Sequence, residues 1–517
     1  MPCRATAESD CPLVTSLASF PLRKIAAPGR RMAVRPALSG AAADGLRGAA
    51  PVKTGPAVGP SSPPDRAPSP GLILWGLLVR RVGFGLGLGL GLGAGAGLGA
   101  APALAQSAPP RDPFEAAPLG PLLRDDVAGA RRIPGHTPPG PDIGGVHIAP
   151  ALAMRAEASS NVFNRPDADR GDLAPAPAPA VRAVGSAGPA RFVIDGPAGL
   201  TRYARLTGYN HETWSLRAQG VVPVAGGLSL AVSGAASRVL EPPFEAAGAN
   251  AGTGGIVLVD RAQGSLGARA DLGRTRLTAM ADILRSHYLP AWQASGLAIG
   301  QSYRDERMVS ATLRIERALG PHLAFAEGAH RWVRSLHPGP APDRSATAGE
   351  ALVGLRGELG HLMMAEVAAG YQWRAYRSAA LRDYRGAAWR ARVEWYATPL
   401  VTFTLAARRD IANSALPEAA GVVVDSLSLK ALYEVKRNLN LVLSGTHAAE
   451  RYRDLAGAGA AAPAIRSDAV GLEAQYATGR HLTLGLAARY RDRRSGSSLV
   501  PRQGHAVEGG LTLRFSL

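Results

Sequence analysis

Cysteine is almost absent from this chain: its 517 residues include two, Cys3 and Cys11, both at the extreme N-terminus. The rest of the sequence therefore has no thiol from which to build a disulfide framework or a cysteine-based metal site. The motifs H-E-x-x-H and G-x-S-x-G and a P-loop are missing as well. We therefore predict a protein that is not an enzyme and that holds neither a metal nor a cofactor.

Basic residues are numerous but lack a dense cluster. The chain has 58 Lys and Arg against 40 Asp and Glu, a formal net charge of +18 and a sequence pI near 10.6. Such a balance ordinarily indicates nucleic acid or an anionic membrane surface as a partner. Because the charge is spread over many segments, the sequence predicts no nucleic-acid partner.

The N-terminal region contains a targeting signal. Arg80 and Arg81 precede an uncharged apolar run that ends in A-L-A before Gln106, which is typical of a secretory signal with its cleavage site. We predict a signal peptide at 80–105, with a transmembrane anchor as the alternative. Because no cysteine follows the cleavage site, the mature chain is not predicted to be a lipoprotein.

The segments on either side of this signal lack periodicity. Residues 1–79 are rich in Pro, Ala and Arg, and so long an extension ahead of a signal suggests a true start further downstream, at Met32 or near Val79. Residues 106–144 are rich in Pro and Gly and are predicted to form a periplasmic tail. Together they predict a disordered N-terminal region.

Beyond residue 144, apolar and polar residues alternate. In H-L-T-L-G-L-A-A-R-Y-R, from His481 to Arg491, apolar side chains occupy every second position. A period of two belongs to a β-strand, whose successive side chains point to opposite faces. Two environments suit such strands: a sandwich with an apolar core and water outside, or a membrane barrel with lipid outside and a polar lumen.

The connections between the strands form two classes that alternate along the chain. Tight turns recur at roughly 40 to 48 residues, and longer polar links such as E-P-P-F-E-A-A-G-A-N-A-G-T-G-G lie between them. A propeller blade would need four short strands in that length, whereas the sequence offers two long ones. Short turns on one rim, long links on the other and strands able to cross a bilayer indicate an outer-membrane barrel.

Residues 145–517 are therefore predicted to form an all-β, transmembrane, antiparallel up-and-down barrel of about 18 strands. An even number of strands places both termini in the periplasm. Sixteen strands is the alternative, because 192–206 is interrupted by Gly and Pro. The A-P-A-P-A-P-A run just before that segment is poor strand material away from an edge or a bulge.

The polar faces of the strands carry the candidate site residues. Arginine outnumbers acid there, and rings of like charge attract counter-ions in a pore. The residues predicted to face the lumen and to set selectivity are Arg314, Arg374, Arg390, Arg392, Arg408, Arg489, Arg491, Glu366, Glu394 and Glu473. An open lumen would then weakly prefer anions. The alternative is that these residues pair across strands in a packed interior.

Aromatic residues on the apolar faces are predicted to form two girdles at the membrane interfaces. They are Tyr371, Trp373, Trp389, Trp395, Tyr433, Tyr476, Tyr490 and Phe515. Ordinary core packing in a sandwich is the alternative.

The last strand, V-E-G-G-L-T-L-R-F-S-L, resembles the C-terminal recognition strand of bacterial outer-membrane proteins, although it ends in Leu517 and its aromatic residue is Phe515. The segments V-H-I-A-P-A-L-A-M-R-A-E-A-S-S-N-V-F and L-T-R-Y-A-R-L-T-G-Y-N-H-E-T-W-S-L-R-A-Q-G and the repeated long hairpins resemble the family called putative beta-barrel porin type 2. This resemblance implies the outer membrane of a Gram-negative bacterium and, in some relatives, an association with exopolysaccharide production.

Three functions remain open from the sequence. The first is a porin for passive passage of small hydrophilic solutes, anionic ones included. The second is a closed or plugged barrel with a structural or surface role, such as exopolysaccharide export. The third is a secreted β-sandwich binding protein. For a barrel, the expected partners are outer-membrane lipid and lipopolysaccharide, the barrel assembly machinery, and small hydrophilic solutes or polysaccharide.

Overall fold

A computed structural model of the chain describes residues 139–163, 170–241, 255–292, 297–339, 342–416, 419–453, 464–495 and 504–517. These residues form eighteen long strands, which we number in chain order. The strands are β1 (Val146–Ser159), β2 (Asp172–Ala187), β3 (Ala190–Thr201), β4 (His211–Ala225), β5 (Leu228–Leu240), β6 (Leu258–Leu272), β7 (Thr275–Tyr288), β8 (Glu306–Leu319), β9 (His322–Ser335), β10 (Ala346–Leu359), β11 (Met363–Tyr376), β12 (Tyr384–Thr398), β13 (Val401–Ala412), β14 (Gly421–Lys436), β15 (Leu439–Arg453), β16 (Ala464–Ala477), β17 (Leu482–Ser495) and β18 (His505–Ser516).

The eighteen strands form a closed antiparallel barrel. Each strand pairs with its sequence neighbours, and β18 pairs with β1 from Ala151 opposite Ser516 to Ser159 opposite Glu508. Following the paired residues from Ala151 across all strands of the ring leads back to β1 about 22 residues further along, which is the shear of the barrel. For 18 strands, this shear corresponds to strands tilted by roughly 40° from the barrel axis. The predicted barrel of 18 strands is confirmed, and the alternatives of 16 strands and of a sandwich are wrong.

The two ends of the barrel differ as the sequence predicts. Eight tight turns form one end, the turn rim, where the chain also begins β1 and completes β18. At this rim Gly188, Gly227, Gly273 and Gly320 have positive φ angles between 57° and 81°, a conformation that glycine adopts without steric cost. The opposite end, the link rim, is where the strand ends joined by the longer stretches of sequence lie. These stretches are 160–171, 202–210, 241–257, 289–305, 336–345, 377–383, 413–420, 454–463 and 496–504.

Helical structure is limited to short turns in the described ranges. Two three-residue 3-10 turns, Thr207–Tyr209 and Ser302–Arg304, lie in the links. In this part of the chain, no helix has the length and apolar character needed to span a membrane.

The outward face of the barrel is apolar, as the alternation predicts. Val353, Leu472 and Leu486 are 67%, 52% and 63% exposed, although each lies in a paired strand. Exposed aliphatic side chains on the outer surface of a closed barrel match the lipid-facing band of a membrane protein.

The proline-rich run forms part of a strand after all, contrary to the expectation from its composition. Pro175, Pro177 and Pro179 lie in β2 and point outward between β1 and β3. The backbone N–H and C=O groups of the odd-numbered residues in this part of β2 point away from β1. Accordingly, the carbonyl oxygens of Pro175 and Leu173 accept hydrogen bonds from the N–H groups of Arg202 and Ala204, at 3.0 and 2.9 Å. The ladder from β3 to β2 begins only at Ala180 opposite Pro197, so the N–H groups that proline lacks are not needed there.

Part of the predicted N-terminal organisation lies outside the described residues. The described residues do not include the extension 1–79, the signal peptide 80–105 or residues 106–138 of the tail. The described residues begin at 139, and Asp142–Ile143 pair with the start of β1.

Candidate functional site

The ten residues predicted to face the lumen share the inward face of their strands. Arg314 is 8% exposed, whereas its neighbours Leu313 and Ile315 are 50% and 43% exposed. The register places the other nine on the same side of the sheet as Arg314. Their proposed role in selectivity stays a prediction.

Two of these arginines lie in an ion-pair network on the wall formed by β8 to β12. Arg314 contacts Glu316 at 2.9 Å, Glu327 at 3.1 Å and Glu366 at 3.2 Å. Arg390 donates two hydrogen bonds to Glu327, at 2.8 and 2.6 Å. The pair of Arg314 with Glu366 joins β8 to β11, and that of Arg390 with Glu327 joins β12 to β9, so these side chains reach over the strands between them.

An aromatic ring completes the network. The guanidinium carbon of Arg314 lies 3.8 Å from the ring centre of Phe325, and that of Arg390 lies 5.7 Å from it. Phe325 is buried and packs with Leu352, Ala368 and Ala388. Cation–π contacts of this kind add to the ion pairs in holding both guanidinium groups in place. We call Arg314, Arg390, Glu316, Glu327, Glu366 and Phe325 the wall network.

Most of the other predicted arginines also contact carboxylates or other polar groups. Arg392 contacts Glu394 at 2.5 Å, and Glu394 accepts a hydrogen bond from Tyr396 at 2.8 Å. The remaining contacts are Arg408 with Asp410 at 3.2 Å, Arg491 with Glu508 at 3.1 Å, Arg374 with Asn413, and Gln475 with Glu473 at 2.6 Å, while Arg489 lies opposite Glu508 in the register. Pairing across strands, which the sequence left as an alternative, therefore occurs in the wall network and at Arg491, whereas Arg392 and Arg408 pair within their own strands.

One link at the link rim runs inward and contacts distant parts of the wall. Residues 413–416 and 419–420, which we call the crossing segment, connect β13 to β14. Arg344 donates hydrogen bonds to the carbonyl oxygens of Ser414, at 2.7 Å, and Leu416. These contacts attach the segment to the link between β9 and β10.

Further contacts of the crossing segment extend to β8 and β11. Tyr303 donates to the carbonyl oxygen of Ala415 at 2.6 Å, and Tyr376 to that of Ala420 at 2.8 Å. Asn413 forms hydrogen bonds with Glu306 of β8 and Arg374 of β11.

The other side of the crossing segment packs against β14 to β16. Leu416 and Ala419 form an apolar cluster with Val422, Tyr452 and Ile465, in which every member is buried. Glu306 of β8, which the segment contacts through Asn413, lies five strands from β13 in the ring of eighteen. The segment therefore extends across part of the mouth of the barrel.

Beside this apolar cluster lies an ion pair that is fully buried. Arg493 of β17 and Glu450 of β15 are both 0% exposed, and Nη2 of the arginine lies 2.8 Å from Oε1 of the glutamate. Tyr452 and Ser467 donate hydrogen bonds to the same carboxylate, at 3.3 and 3.4 Å. The prediction of site residues missed both partners, although the alternation places them on the inward face.

The predicted girdle residues lie at two levels of the outer surface. Trp395, Tyr433, Tyr476 and Phe515 lie near the turn rim, and Trp395 stacks on Phe403 with ring centres 5.2 Å apart. Tyr371, Trp373, Trp389 and Tyr490 lie in the halves of their strands nearer the link rim. Six of the eight are 40% to 47% exposed and Trp373 and Trp389 are half-buried; their place at a membrane interface stays a prediction.

Comparison with known proteins identifies a family. The family described as "Putative beta-barrel porin 2" matches residues 134–515. No curated protein matches the chain.

Solved structures that resemble the chain include three bacterial proteins. OccK2 (OpdF) from Pseudomonas aeruginosa is 13% identical, with a TM-score of 0.40 over 72% of this chain and 98% of that chain. OccAB3 from Acinetobacter baumannii is 11% identical, with a TM-score of 0.39 over 72% of this chain and 99% of that chain. OpdL from Pseudomonas aeruginosa is 13% identical, with a TM-score of 0.38 over 72% of this chain and 99% of that chain. At this level of similarity they carry no functional argument.

Proposed function

Because the chain belongs to the putative beta-barrel porin 2 family, we propose that it is an outer-membrane pore for small hydrophilic solutes whose mouth is narrowed by the crossing segment. A closed barrel with an apolar outer face and a polar inner face supports this proposal. No enzymatic step is part of it, in keeping with a porin family and with a sequence that lacks the common catalytic motifs.

The observation that carries the proposal is the double attachment of the crossing segment. Its carbonyl oxygens accept hydrogen bonds from Tyr303, Arg344 and Tyr376 on one side of the mouth, and its apolar side chains pack on Tyr452 and Ile465 on the other. A barrel of 16 to 18 strands is wide enough to hold an aqueous channel. A segment fixed across such a channel limits the size of what passes.

One strand of the wall away from the network carries little side-chain bulk on its inward face. Over most of β5 the inward positions carry only small side chains, which are Ser229, Ala231, Ser233, Ala235 and Ser237. The long arginine and glutamate side chains concentrate on β8 to β12 instead. We therefore place the solute path beside the wall network, along the part of the wall that includes β5.

Charge selection by this path should be weak. In the wall network two guanidinium groups are matched by three carboxylates at 2.6 to 3.5 Å, so most of their field is cancelled locally. A mild preference for anions would arise from arginines outside the network. Size, set at the mouth, is then the main criterion, and sugars and small anions are the solutes expected.

The cellular setting follows from the same proposal. The barrel would lie in the outer membrane of a Gram-negative bacterium after removal of 80–105, with the turn rim in the periplasm and the link rim outside. The last strand, with Phe515 on its outward face, would be the part recognised by the barrel assembly machinery. Lipid and lipopolysaccharide would surround the outer face.

Single-channel recording of the refolded mature chain in a planar bilayer tests this function. We expect discrete conductance steps, and replacement of residues 413–420 by a short glycine–serine link should raise the step size several-fold. The matched control changes another link of the same rim. There Ala379 and Ala380, both exposed between β11 and β12, are exchanged for glycine and serine, which should leave the step size unchanged.

The alternative of a closed barrel predicts a different outcome. If neither the wild type nor the variant with the shortened crossing segment conducts, the barrel is closed by its wall and the structural or export-related role takes precedence. If the wild type is silent and the shortened variant conducts, the crossing segment is a plug rather than a constriction. An equal step size in both would contradict the proposed narrowing.

A further inference from the structure

Three arginines lie side by side on the outward face of the barrel. Arg307 of β8 is directly opposite Arg285 of β7 on one side and Arg334 of β9 on the other. All three are exposed, and each lies two residues beyond an outward-facing apolar residue of its own strand, in the direction of the link rim. We call these three residues the arginine row.

Like charges in this arrangement repel one another. Side chains directly opposite in antiparallel strands have Cβ atoms about 4.5 to 5.5 Å apart, and a pair of like charges there is unfavourable. Among the residues that the structure describes, none of the three arginines forms an ion pair within 4 Å. The row therefore has three positive charges and, among the described residues, no carboxylate within ion-pair distance.

Several other outward-facing arginines near the link rim form ion pairs with a carboxylate. Arg238 contacts Asp260 at 2.7 Å. Asp425 contacts Arg409, at 2.5 Å, and Arg451. The arginine row thus differs from these positions in lacking a built-in counter-charge.

The carboxylates nearest to the row already have other partners. Asp305, which is 1% exposed, contacts His287 at 2.7 Å and His337 at 3.2 Å. In the link beyond β9, hydrogen bonds from Ser345, with the charges of Arg377 and Arg334, hold the pKa of Asp343 below its ordinary range. Arg377, exposed and next along the same side of the barrel, adds a further positive charge.

The position of the row indicates which anion it meets. The residues directly below it on the three strands are Ile283, Val309 and Trp332, and Ile283 and Trp332 are 41% and 49% exposed. An exposed tryptophan between aliphatic side chains and charged ones is typical of the boundary between hydrocarbon and headgroups. In a membrane the arginine row would therefore lie at headgroup level, on the lipid side of the barrel.

We propose that the arginine row is a binding site for the phosphate groups of a lipid headgroup in the leaflet at the link rim. Guanidinium groups bind phosphate oxygens in pairs of charge-assisted hydrogen bonds. A phosphate above the row relieves the repulsion between the arginines, while the acyl chains of the same lipid lie on Ile283, Val309 and Trp332. The site requires a membrane-embedded barrel but not an open lumen.

Binding of diphosphoryl lipid A by the refolded mature chain in an uncharged detergent tests this proposal. Native mass spectrometry should show retained lipid adducts, and dephosphorylated lipid A should bind more weakly. The variant R285Q/R307Q/R334Q should bind diphosphoryl lipid A at least about tenfold more weakly. The matched control R274Q/R317Q/R480Q, which removes three exposed arginines at the turn rim, should bind as the wild type does.

Thermal unfolding separates a binding site from a structural one. Because the row is repulsive without a ligand, the Gln variant should unfold at the same or a higher temperature than the wild type in detergent alone. Added diphosphoryl lipid A should then stabilise the wild type more. The variant R285K/R307K/R334K keeps the charge and should retain part of the binding.

Several results would overturn the proposal. Equal loss of binding in the row and control variants would show a non-specific charge effect, and equal binding of both forms of lipid A would exclude phosphate recognition. Full competition by low concentrations of inorganic phosphate would assign the site to a free anion. Failure of the Gln variant to fold where the Lys variant folds would make the row part of the barrel's own stability. None of these measurements depends on single-channel conductance. The lipid-binding test would therefore still apply to a barrel that does not conduct.

Discussion

The buried pair of Arg493 and Glu450 gives the sharpest test of the crossing segment. Both side chains are fully buried and 2.8 Å apart. Tyr452, which donates to Glu450, belongs to the same apolar cluster as Leu416 and Ala419 of the segment. Replacing Arg493 by Met leaves the glutamate buried with its charge unmatched. Breaking a buried pair in this way costs about 3 to 5 kcal/mol of unfolding free energy.

A second change separates this pair from its surroundings. The double variant R493M/E450L removes both charges and should lie within about 1 to 2 kcal/mol of the wild type, because a well-packed apolar replacement of a buried pair is often nearly neutral. The two single changes should therefore be strongly non-additive. Tyr452 and Ser467, which donate to Glu450 in the wild type, are the source of the remaining cost.

Arg451 is the matched control, since it is adjacent in sequence to Glu450 and points outward. It contacts Asp425, its side chain is 49% exposed, and the same aspartate is also bound by Arg409. Arg451→Met should cost about 0 to 1 kcal/mol, as exposed pairs do.

Urea unfolding of the refolded proteins in lipid vesicles, followed by tryptophan fluorescence, measures the unfolding free energies of the wild type and of these variants. If Arg493→Met costs no more than Arg451→Met, water reaches the pair and the crossing segment does not cover it. In the variant with the shortened crossing segment, Arg493→Met should cost only as much as an exposed pair. A full cost of about 3 to 5 kcal/mol in that background would show that the wall alone buries the pair.

Three further predictions concern the outer face, the lumen and the N-terminus. Leu486→Arg, at an outward position that is 63% exposed, should destabilise the barrel in lipid vesicles by about 2 to 4 kcal/mol. Ala487→Arg, at the next residue and on the inward face, should be tolerated. Equal losses of stability in the two variants would contradict the assignment of faces. Arg390→Gln should move the reversal potential in a salt gradient toward cations, because it leaves carboxylates of the wall network in excess, while the outward Arg409→Gln should not; identical shifts would place the path elsewhere. N-terminal sequencing of protein from an outer-membrane fraction should begin at Gln106, and residues from upstream of the apolar run would refute the cleavage site.

The wall of the barrel could be predicted because its determinants are local. A period of two and a tight turn after every second strand specify antiparallel hairpins, and only their number remained to be counted. The interruption by Gly and Pro at 192–206 left sixteen strands open as the alternative, because composition does not show which side of a strand lacks a partner. Pro175 is acceptable because the N–H group of Arg202 donates to its carbonyl oxygen without needing an N–H group in return.

The interior could not be predicted in the same way, because its contacts depend on which strands face each other. Alternation places Arg314 and Glu366 on the inward face, but their contact spans 52 residues and two intervening strands. Counting charges on that face suggested an excess of arginine, whereas the wall network contains more carboxylates than guanidinium groups. Selectivity depends on the charges that remain after pairing, so the weak anion preference expected from the count stays a prediction.

The crossing segment has no periodic signal, since its described residues are neither strand nor helix. Its backbone carbonyls, rather than its side chains, accept the hydrogen bonds of Tyr303, Arg344 and Tyr376, and any residue supplies a carbonyl. Composition does not distinguish it either: three of the eight residues from 413 to 420 are polar, and the link 454–463 is more apolar. A link that packs inward therefore has to be identified from the groups on the wall that bind it, here two tyrosines and an arginine of distant strands and links, which only the folded barrel brings together.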